Sequence, residues 1–232
     1  ATKLSRHYVT PQCTTTRAAL LTGRHPSRYG AQENSINPWS RFGIPLDETF
    51  LSQRLRGLGY YTAHFGKWHL GHGYLEYLPT HRGFDHSFGH LYGAINYWKK
   101  IPRPRLAPDW QRDAVDVGYD DYVQTTYSTH LIVTDALDVI ARRPADAGTQ
   151  PLFLYVAFNA VHQPLSAPPC ANATAPDGGG CPRYRRVSKN QHEGDVKARA
   201  FAEMDVGVTR LVDALTRARD ADNLFVLFSS DN

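Results

Sequence analysis

Apolar and polar positions along the chain divide it into short apolar runs separated by amphipathic or irregular segments. Three runs stand out, at 60–66 (YYTAHFG), 151–158 (PLFLYVAF) and 224–228 (LFVLF). Each is rich in aromatic or β-branched side chains and is bounded by glycine, proline or polar residues. This pattern is typical of strands covered on both faces, so we predict three buried strands.

Segments between these runs carry apolar residues at helical spacing. Asp47 is placed to cap a helix that ends at Gly59, and a second helix is predicted over 131–140. The clearest helix has apolar residues spaced three and four apart, namely Phe201, Met204, Val208, Leu211 and Leu215. We expect this stripe to pack in the core.

The alternation of strands and helices favours an α/β fold with a largely parallel sheet covered by helices. A length of 232 residues suits one sizeable domain. The region at about 92–122 differs, because its prolines, tryptophans and acidic residues follow neither helical nor strand spacing. We predict a long irregular surface excursion there, which shapes a substrate pocket.

The composition is that of a folded globular protein, with 41% hydrophobic and 21% charged residues. The longest apolar run, 151–158, is far shorter than the roughly 20 residues of a membrane-spanning helix, so we expect no membrane span. The net charge of +4 comes from basic residues scattered along the chain. We therefore expect no nucleic-acid partner.

The 3 cysteines leave one unpaired if two of them form a disulfide. Cys170 and Cys181 bracket a loop rich in glycine and proline, which makes a bridge between them easy to close. The same loop contains Asn172 within an Asn-x-Thr glycosylation pattern. Both features favour an oxidising compartment, and Cys13 is then the unpaired cysteine.

Polar residues follow each predicted strand. Lys67 and His69 come after the first, His162 after the second, and Asp231 and Asn232 after the third. Ligands of open α/β sheets bind beyond the carboxyl ends of the strands, so we expect these side chains to share a site. Each of these residues on its own could have a purely structural role. Their placement at the ends of three separate strands favours a functional role.

Cys13 precedes a short predicted helix, 17–22, that Gly23 ends. Free N–H groups and the helix dipole at such a terminus attract anions and lower the pKa of a thiol. Arg17 would add a cation one turn further on. The sequence thus offers a candidate nucleophile beside groups suited to an anionic substrate.

Two segments resemble the signatures of the sulfatase family. CTTTRAALLTGR (13–24) resembles the first signature, Cys-x-Pro-Ser-Arg followed by Leu-Thr-Gly-Arg, and GYYTAHFGKWHLG (59–71) resembles the second. The segments 77–98, 151–165 and 224–232 are similar to successive family segments, most closely those of N-acetylgalactosamine-4-sulfatases. The resemblance implies an alkaline-phosphatase-like α/β fold, with a mostly parallel sheet sandwiched by helices.

The resemblance also implies hydrolysis of sulfate monoesters, on sulfated sugars such as N-acetylgalactosamine 4-sulfate of glycosaminoglycans or on aryl sulfates. A formylglycine-generating enzyme would oxidise Cys13 to formylglycine, whose hydrate attacks sulfur. Arg17 would hold the hydrate, and Lys67 and His69 would contact the hydrate or the sulfate. His162 would face the ester oxygen, where the leaving alcohol needs a proton. A lysosomal or secreted location is expected.

By the same resemblance, Asp231 and Asn232, together with the modified Cys13, would coordinate Ca²⁺. The family's metal site also uses two neighbouring aspartates on an N-terminal strand, and a downstream lysine contacts sulfate; this sequence contains neither. We therefore expect 1–232 to be a partial catalytic domain that is inactive alone. Thr15 stands where the family usually has proline or alanine, which predicts reduced formylglycine conversion.

The sequence also leaves other functions open. A phosphodiesterase or phosphonate hydrolase of the same superfamily would share the sheet and a metal-assisted site. A pseudosulfatase would bind sulfated glycans without cleaving them. A hydrolase using an unmodified Cys13 thiolate would leave Lys67, Asp231 and Asn232 unexplained. The histidines of 64–86 lack the spacing of a zinc array.

Overall fold

A computed structural model describes residues 2–33, 35–102, 107–142, 150–168, 193–218 and 221–232. The predicted disulfide between Cys170 and Cys181 and the glycosylation pattern at Asn172 lie outside the described residues. Both stay predictions.

Five strands form one sheet in the order β4-β3-β2-β1-β5. The central strand β1, Tyr61–Lys67, pairs in parallel with β2, His86–His90, on one side and with β5, Leu152–Ala157, on the other. The strands β3, Gln111–Arg112, and β4, Val115–Asp116, add a short antiparallel hairpin beyond β2. The α/β fold is confirmed, although the sheet is mixed at this edge.

The described part of the chain contains five α-helices, which cover both faces of the sheet. They are α1 (Cys13–Thr22), α2 (Leu51–Gly57), α3 (Asp121–Thr125), α4 (Ser128–Arg142) and α5 (Glu193–Arg217). Side chains of α1 and of Phe50, which directly precedes α2, pack with Trp68 and Phe84 in one core. Side chains of α4 and α5 pack with Phe65 and Phe88 in a second core. The predicted sandwich of helices around a sheet is therefore confirmed.

Two predicted helices agree with the structure. The segment 131–140 lies within α4, and the predicted stripe of 201–215 lies within α5. Leu211 is buried in the core as expected, whereas Phe201 is 46% exposed. Packing against α4 thus covers only part of the apolar stripe.

The predicted N-cap at Asp47 is wrong. The helix α2 begins at Leu51, with Phe50 as its N-cap residue. The side chain of Gln53 accepts a hydrogen bond from the backbone N–H of Phe50 at 2.8 Å, which gives this N-terminus its local partner. Leu58, in the last turn of the predicted helix, is 74% exposed.

The predicted strand 224–228 is also wrong. These residues form no strand, and the side chain of Phe225 is 86% exposed. A strand needs a neighbour for its backbone ladder, and 224–228 takes no place in the sheet of the described residues. Conversely, β2 was missed because its sequence, HSFGH, is largely polar, yet every residue in it is buried.

The segment 92–122 is largely irregular, as predicted, but its expected surface position is wrong for several side chains. Ile95, Tyr97, Lys100 and Trp110 are at most 1% exposed. Tyr97 donates hydrogen bonds to two backbone carbonyls of 159–162, so the excursion is tied to the loop after β5. Within the described ranges, no helix is both long and apolar enough to cross a membrane.

Candidate active site

Cys13 occupies the first position of α1. Gln12 precedes it in an extended conformation and provides no side-chain cap, so the first N–H groups of the helix have no cap from that side chain. Thr14 donates a hydrogen bond to the carbonyl of His69 at 2.9 Å, and Ile36 donates its N–H to the Thr14 hydroxyl at 3.1 Å. The helix starts four residues before the predicted 17–22, which places the thiol within its first turn.

Arg17 joins the segments of the site. Its guanidinium donates two hydrogen bonds to one carboxylate oxygen of Asp231, at 2.6 and 2.9 Å. It also donates to the carbonyl of Lys67 at 2.7 Å and to the hydroxyl of Tyr155 at 3.3 Å. Burial lowers the pKa of Arg17, but the hydroxyl of Tyr155 and the carboxylate of Asp231 outweigh it and raise the pKa above its usual range.

Lys67 lies at the end of β1 with its side chain 2% exposed. Its ammonium nitrogen is 3.9 Å from the nearest carboxylate oxygen of Asp231. Burial, followed by the charge of Arg17, lowers the pKa of Lys67. Burial of the Asp231 carboxyl raises its pKa, but the two cations reverse this effect and lower it.

His69 lies two residues beyond β1 with a positive φ of 60° and is 5% exposed. Its Nε2 donates to the carbonyl of Ile36 at 2.8 Å, and burial lowers its pKa. Gly93 packs against this ring so closely that a Cβ there would lie 2.4 Å from it. The imidazole is therefore held as a neutral group with a fixed orientation.

His162 follows β5 on a loop and is exposed. Its Nδ1 donates to the carbonyl of Gln163 at 2.6 Å, and its own carbonyl accepts from the Tyr97 hydroxyl at 2.9 Å. A hydrogen bond with the Cys13 side chain raises the pKa of His162. These contacts leave Nε2 as the ring nitrogen available to the site.

The thiol of Cys13 is where these groups meet. It donates to the side-chain oxygen of Asn232 at 3.3 Å. Burial raises the pKa of Cys13, but hydrogen bonds with His162 and His69 and the charge of Lys67 outweigh burial and lower that pKa to about 5. A negatively charged group at this position is therefore favoured.

The structure thus brings all the predicted catalytic and metal-binding residues into one cluster. They are Cys13, Arg17, Lys67, His69, His162, Asp231 and Asn232. Sequence reasoning missed Tyr155, which contacts Arg17, and Thr14, which fixes His69. Tyr155 lies inside an apolar strand and Thr14 inside a run of threonines, so neither gave a local signal.

Asp231 and Asn232 place a carboxylate and an amide oxygen beside Cys13. Oxygen donors of this kind suit a hard cation, but calcium takes about six to eight of them. Arg17 already shares the charge of Asp231. In the part of the chain that the structure describes, no cluster of three or more His, Cys, Asp or Glu residues is arranged to hold a metal. The two residues therefore fit part of a calcium site.

Comparison with protein families gives one matching model, described as Sulfatase, which covers residues 1–232. The chain belongs to the sulfatase family. It is 33% identical to arylsulfatase J of Mus musculus over 99% of the chain and 36% of that protein. It is 35% identical to N-acetylgalactosamine-6-sulfatase of Sus scrofa over 96% of the chain and 41% of that protein.

This sulfatase-family chain also resembles solved structures. The structure of Ps i-CgsB in complex with k-i-k-neocarrahexaose superimposes with a TM-score of 0.69 and 28% identity, over 90% of the chain and 45% of that protein. The alkaline-phosphatase-like fold implied by the sequence is confirmed. The chain spans less than half the length of these relatives, and the predicted 4-sulfate specificity stays a prediction.

Proposed function

We propose that the protein hydrolyses sulfate monoesters of sulfated sugars at the cluster around Cys13. The observation that carries this proposal is the convergence of two buried cations, Arg17 and Lys67, on a thiol at a helix N-terminus. Such a concentration of positive charge suits a sulfate group. Membership of the sulfatase family supports the same reaction class.

Arg17 and Lys67 have different electrostatic roles. Arg17 is held by hydrogen bonds to Asp231, to the backbone of Lys67 and to Tyr155, so it fixes the pocket and contributes charge. Lys67 lies 3.9 Å from Asp231, beyond hydrogen-bond distance, and its ammonium can donate to sulfate oxygens. Donors held in place before the reaction stabilise the charge that develops in the transition state.

His162 supplies a proton to the leaving alcohol. Its Nδ1–H is committed to the Gln163 carbonyl, so Nε2 is the nitrogen that exchanges a proton with the substrate. The hydrogen bond with the Cys13 side chain, which raises the pKa of His162, supports a position of this imidazole within reach of the ester oxygen. His69, held neutral by burial with its Nε2–H on the Ile36 carbonyl, presents Nδ1 as an acceptor for a hydroxyl of the formylglycine hydrate.

Two groups complete this proposal. Formylglycine, made from Cys13 by a formylglycine-generating enzyme, supplies an oxygen nucleophile in place of the thiol. Asp231 and Asn232 would be among the oxygen ligands of a calcium ion, which when bound would supply Lewis-acid polarisation of the sulfate. The glycosylation pattern at Asn172 and the predicted disulfide favour a lysosomal or secreted protein.

For the substrate we propose N-acetylgalactosamine 4-sulfate within glycosaminoglycans, with aryl sulfates as small analogues. The similar proteins include an N-acetylgalactosamine-6-sulfatase and a structure with a bound neocarrahexaose, which supports a sugar substrate. Position 4 rests on the resemblance of segments such as 77–98 alone.

The test uses the protein at its native length, produced together with a formylglycine-generating enzyme. We expect hydrolysis of an aryl sulfate to exceed that of the matched aryl phosphate, and hydrolysis of the 4-sulfate to exceed that of the 6-sulfate. Faster phosphate hydrolysis would favour the phosphodiesterase class. Binding of sulfated glycans without hydrolysis would favour a pseudosulfatase.

A further inference from the structure

A cavity of about 400 Å³ lies beside the candidate active site. Three parts of the chain line it, the segment 38–41, the pair 72–73 and Tyr92. None of these residues has a role in the proposed chemistry. The cavity is large enough for a small ligand such as one sugar ring.

Two residues next to the cavity lining in the chain contact His69 of the candidate active site. The carbonyl of Ile36, two residues before the segment 38–41, accepts the hydrogen bond from His69 Nε2 at 2.8 Å. Gly93, directly after Tyr92, packs against the same imidazole. The cavity lining is therefore joined through the chain to both sides of the contact that holds the His69 ring.

The lining offers an aromatic surface and a cation. Trp39 is 66% exposed, and the ring of Tyr92 contacts that of His72 at 4.4 Å between centroids. Arg41 is exposed, and within the described ranges its side chain makes no hydrogen bond or ion pair. A Cβ at Gly73 would lie 2.5 Å from the Arg41 carbonyl, so the glycine permits close approach to the Arg41 backbone.

We propose that this cavity binds the sugar that neighbours the sulfated residue of the substrate. Trp39 stacks against the ring, and Arg41 pairs with an anionic substituent, a sulfate or a carboxylate, on that neighbour. An indole presents a flat apolar face to the C–H face of a sugar, and a guanidinium binds either anion through two parallel hydrogen bonds. This inference rests on the proposed function, because it takes the sulfated residue to lie at Cys13.

The test compares Trp39→Ala and Arg41→Ala with Arg54→Ala, which removes an exposed arginine of α2 outside the cavity lining. Binding of sulfated oligosaccharides to the native-length protein is measured by calorimetry, and kcat/KM is measured on the oligosaccharide and on an aryl sulfate. Three oligosaccharides are used, whose neighbouring sugar is sulfated, carboxylated or neutral.

We expect Arg41→Ala to raise Kd about tenfold, a loss of about 1.4 kcal/mol, for whichever anionic neighbour the site prefers and not for the neutral one. Trp39→Ala should weaken binding of all three ligands. In both variants the ratio of kcat/KM for the oligosaccharide to that for the aryl sulfate should fall, and Arg54→Ala should change neither quantity.

An unchanged Kd in both cavity variants would overturn the inference. It would also be overturned if kcat/KM fell by the same factor on the aryl sulfate as on the oligosaccharide. The binding experiment does not require turnover. If the wild-type protein hydrolyses no sulfate ester while Arg41→Ala still weakens binding of the anionic oligosaccharide, the proposed function fails and the sugar site stands.

Discussion

At the scale of single residues, Arg17 determines how the active-site segments meet. Its planar guanidinium has three partners in fixed directions, the carboxylate of Asp231, the carbonyl of Lys67 and the hydroxyl of Tyr155. A lysine carries the same charge but cannot reproduce this fork of donors. The positive charge alone therefore does not explain why position 17 requires an arginine.

We predict that Arg17→Lys lowers kcat/KM on an aryl sulfate about 100-fold, a loss typical of removing preorganised transition-state donors. Steady-state kinetics of the native-length protein checks this, with Arg54→Lys as the matched exposed control. Activity of Arg17→Lys within a few-fold of wild type would contradict the proposed role.

A second prediction concerns Thr15 and the conversion of Cys13 to formylglycine. Thr15 stands where sulfatases usually have proline or alanine. It lies in the first turn of α1, where proline is tolerated since its missing N–H has no helical partner. We predict that Thr15→Pro raises the fraction of formylglycine at position 13. Peptide mass spectrometry measures that fraction, with Thr16→Ser as control; equal conversion in wild type and Thr15→Pro would refute the prediction.

At the scale of elements, side chains in polar or irregular segments hold the site's scaffold together. His86 on β2 bonds through Nε2 to Asp135 of α4 at 2.7 Å and lies 3.0 Å from Asp113 between β3 and β4. Arg112 pairs with the other oxygen of Asp135 at 2.6 Å. One imidazole thus links a strand, a helix and the hairpin turn.

This link predicts a pH dependence of stability. Burial lowers the pKa of His86, but Asp135 and Asp113 outweigh burial and raise that pKa above 6.5. A raised folded-state pKa means that the stabilisation is complete below the pKa of the unfolded chain and is lost as pH rises through the folded-state value. We expect urea unfolding to show this decline, and His86→Gln to remove it; an identical pH profile in that variant would contradict the link.

Lys100 has a comparable role inside the excursion 92–122. It is fully buried, and its ammonium donates to the carbonyls of Trp98, Val123 and Thr126. We predict that Lys100→Met, which keeps the length of the side chain, costs about 3 kcal/mol because buried acceptors lose their donor. Chemical denaturation measures this, with the exposed Lys99→Met as control; equal stability of the two variants would contradict it.

Helices and strands were predicted correctly from the sequence where the spacing of apolar residues matches the face that is buried in the structure. β1 and β5 are apolar runs, and α4 and α5 have a helical apolar period, so their positions were predictable. β2 was not, because His86 and Ser87 are polar residues buried with partners more than 20 residues away, Asp113 and His64. The run 224–228 failed for the opposite reason, since apolar composition alone supplies no neighbouring strand.

At the scale of the whole molecule, the candidate site depends on topology more than on local pattern. Parallel strands bring Lys67 and the loop carrying His162 to one edge of the sheet, and α1 points its N-terminus at that edge. The strand-end rule predicted this convergence. It could not predict Tyr155 or the cavity at 38–41, because both arise from contacts between segments far apart in the chain.

The proposed function requires that an oxidised Cys13 within this cluster cleaves sulfate esters. The most direct measurement is the rate of sulfate release from an aryl sulfate by native-length preparations whose formylglycine occupancy at position 13 is quantified by mass spectrometry. We expect a rate proportional to that occupancy and abolished in Cys13→Ala. A rate that is independent of occupancy, or that survives in Cys13→Ala, would contradict it.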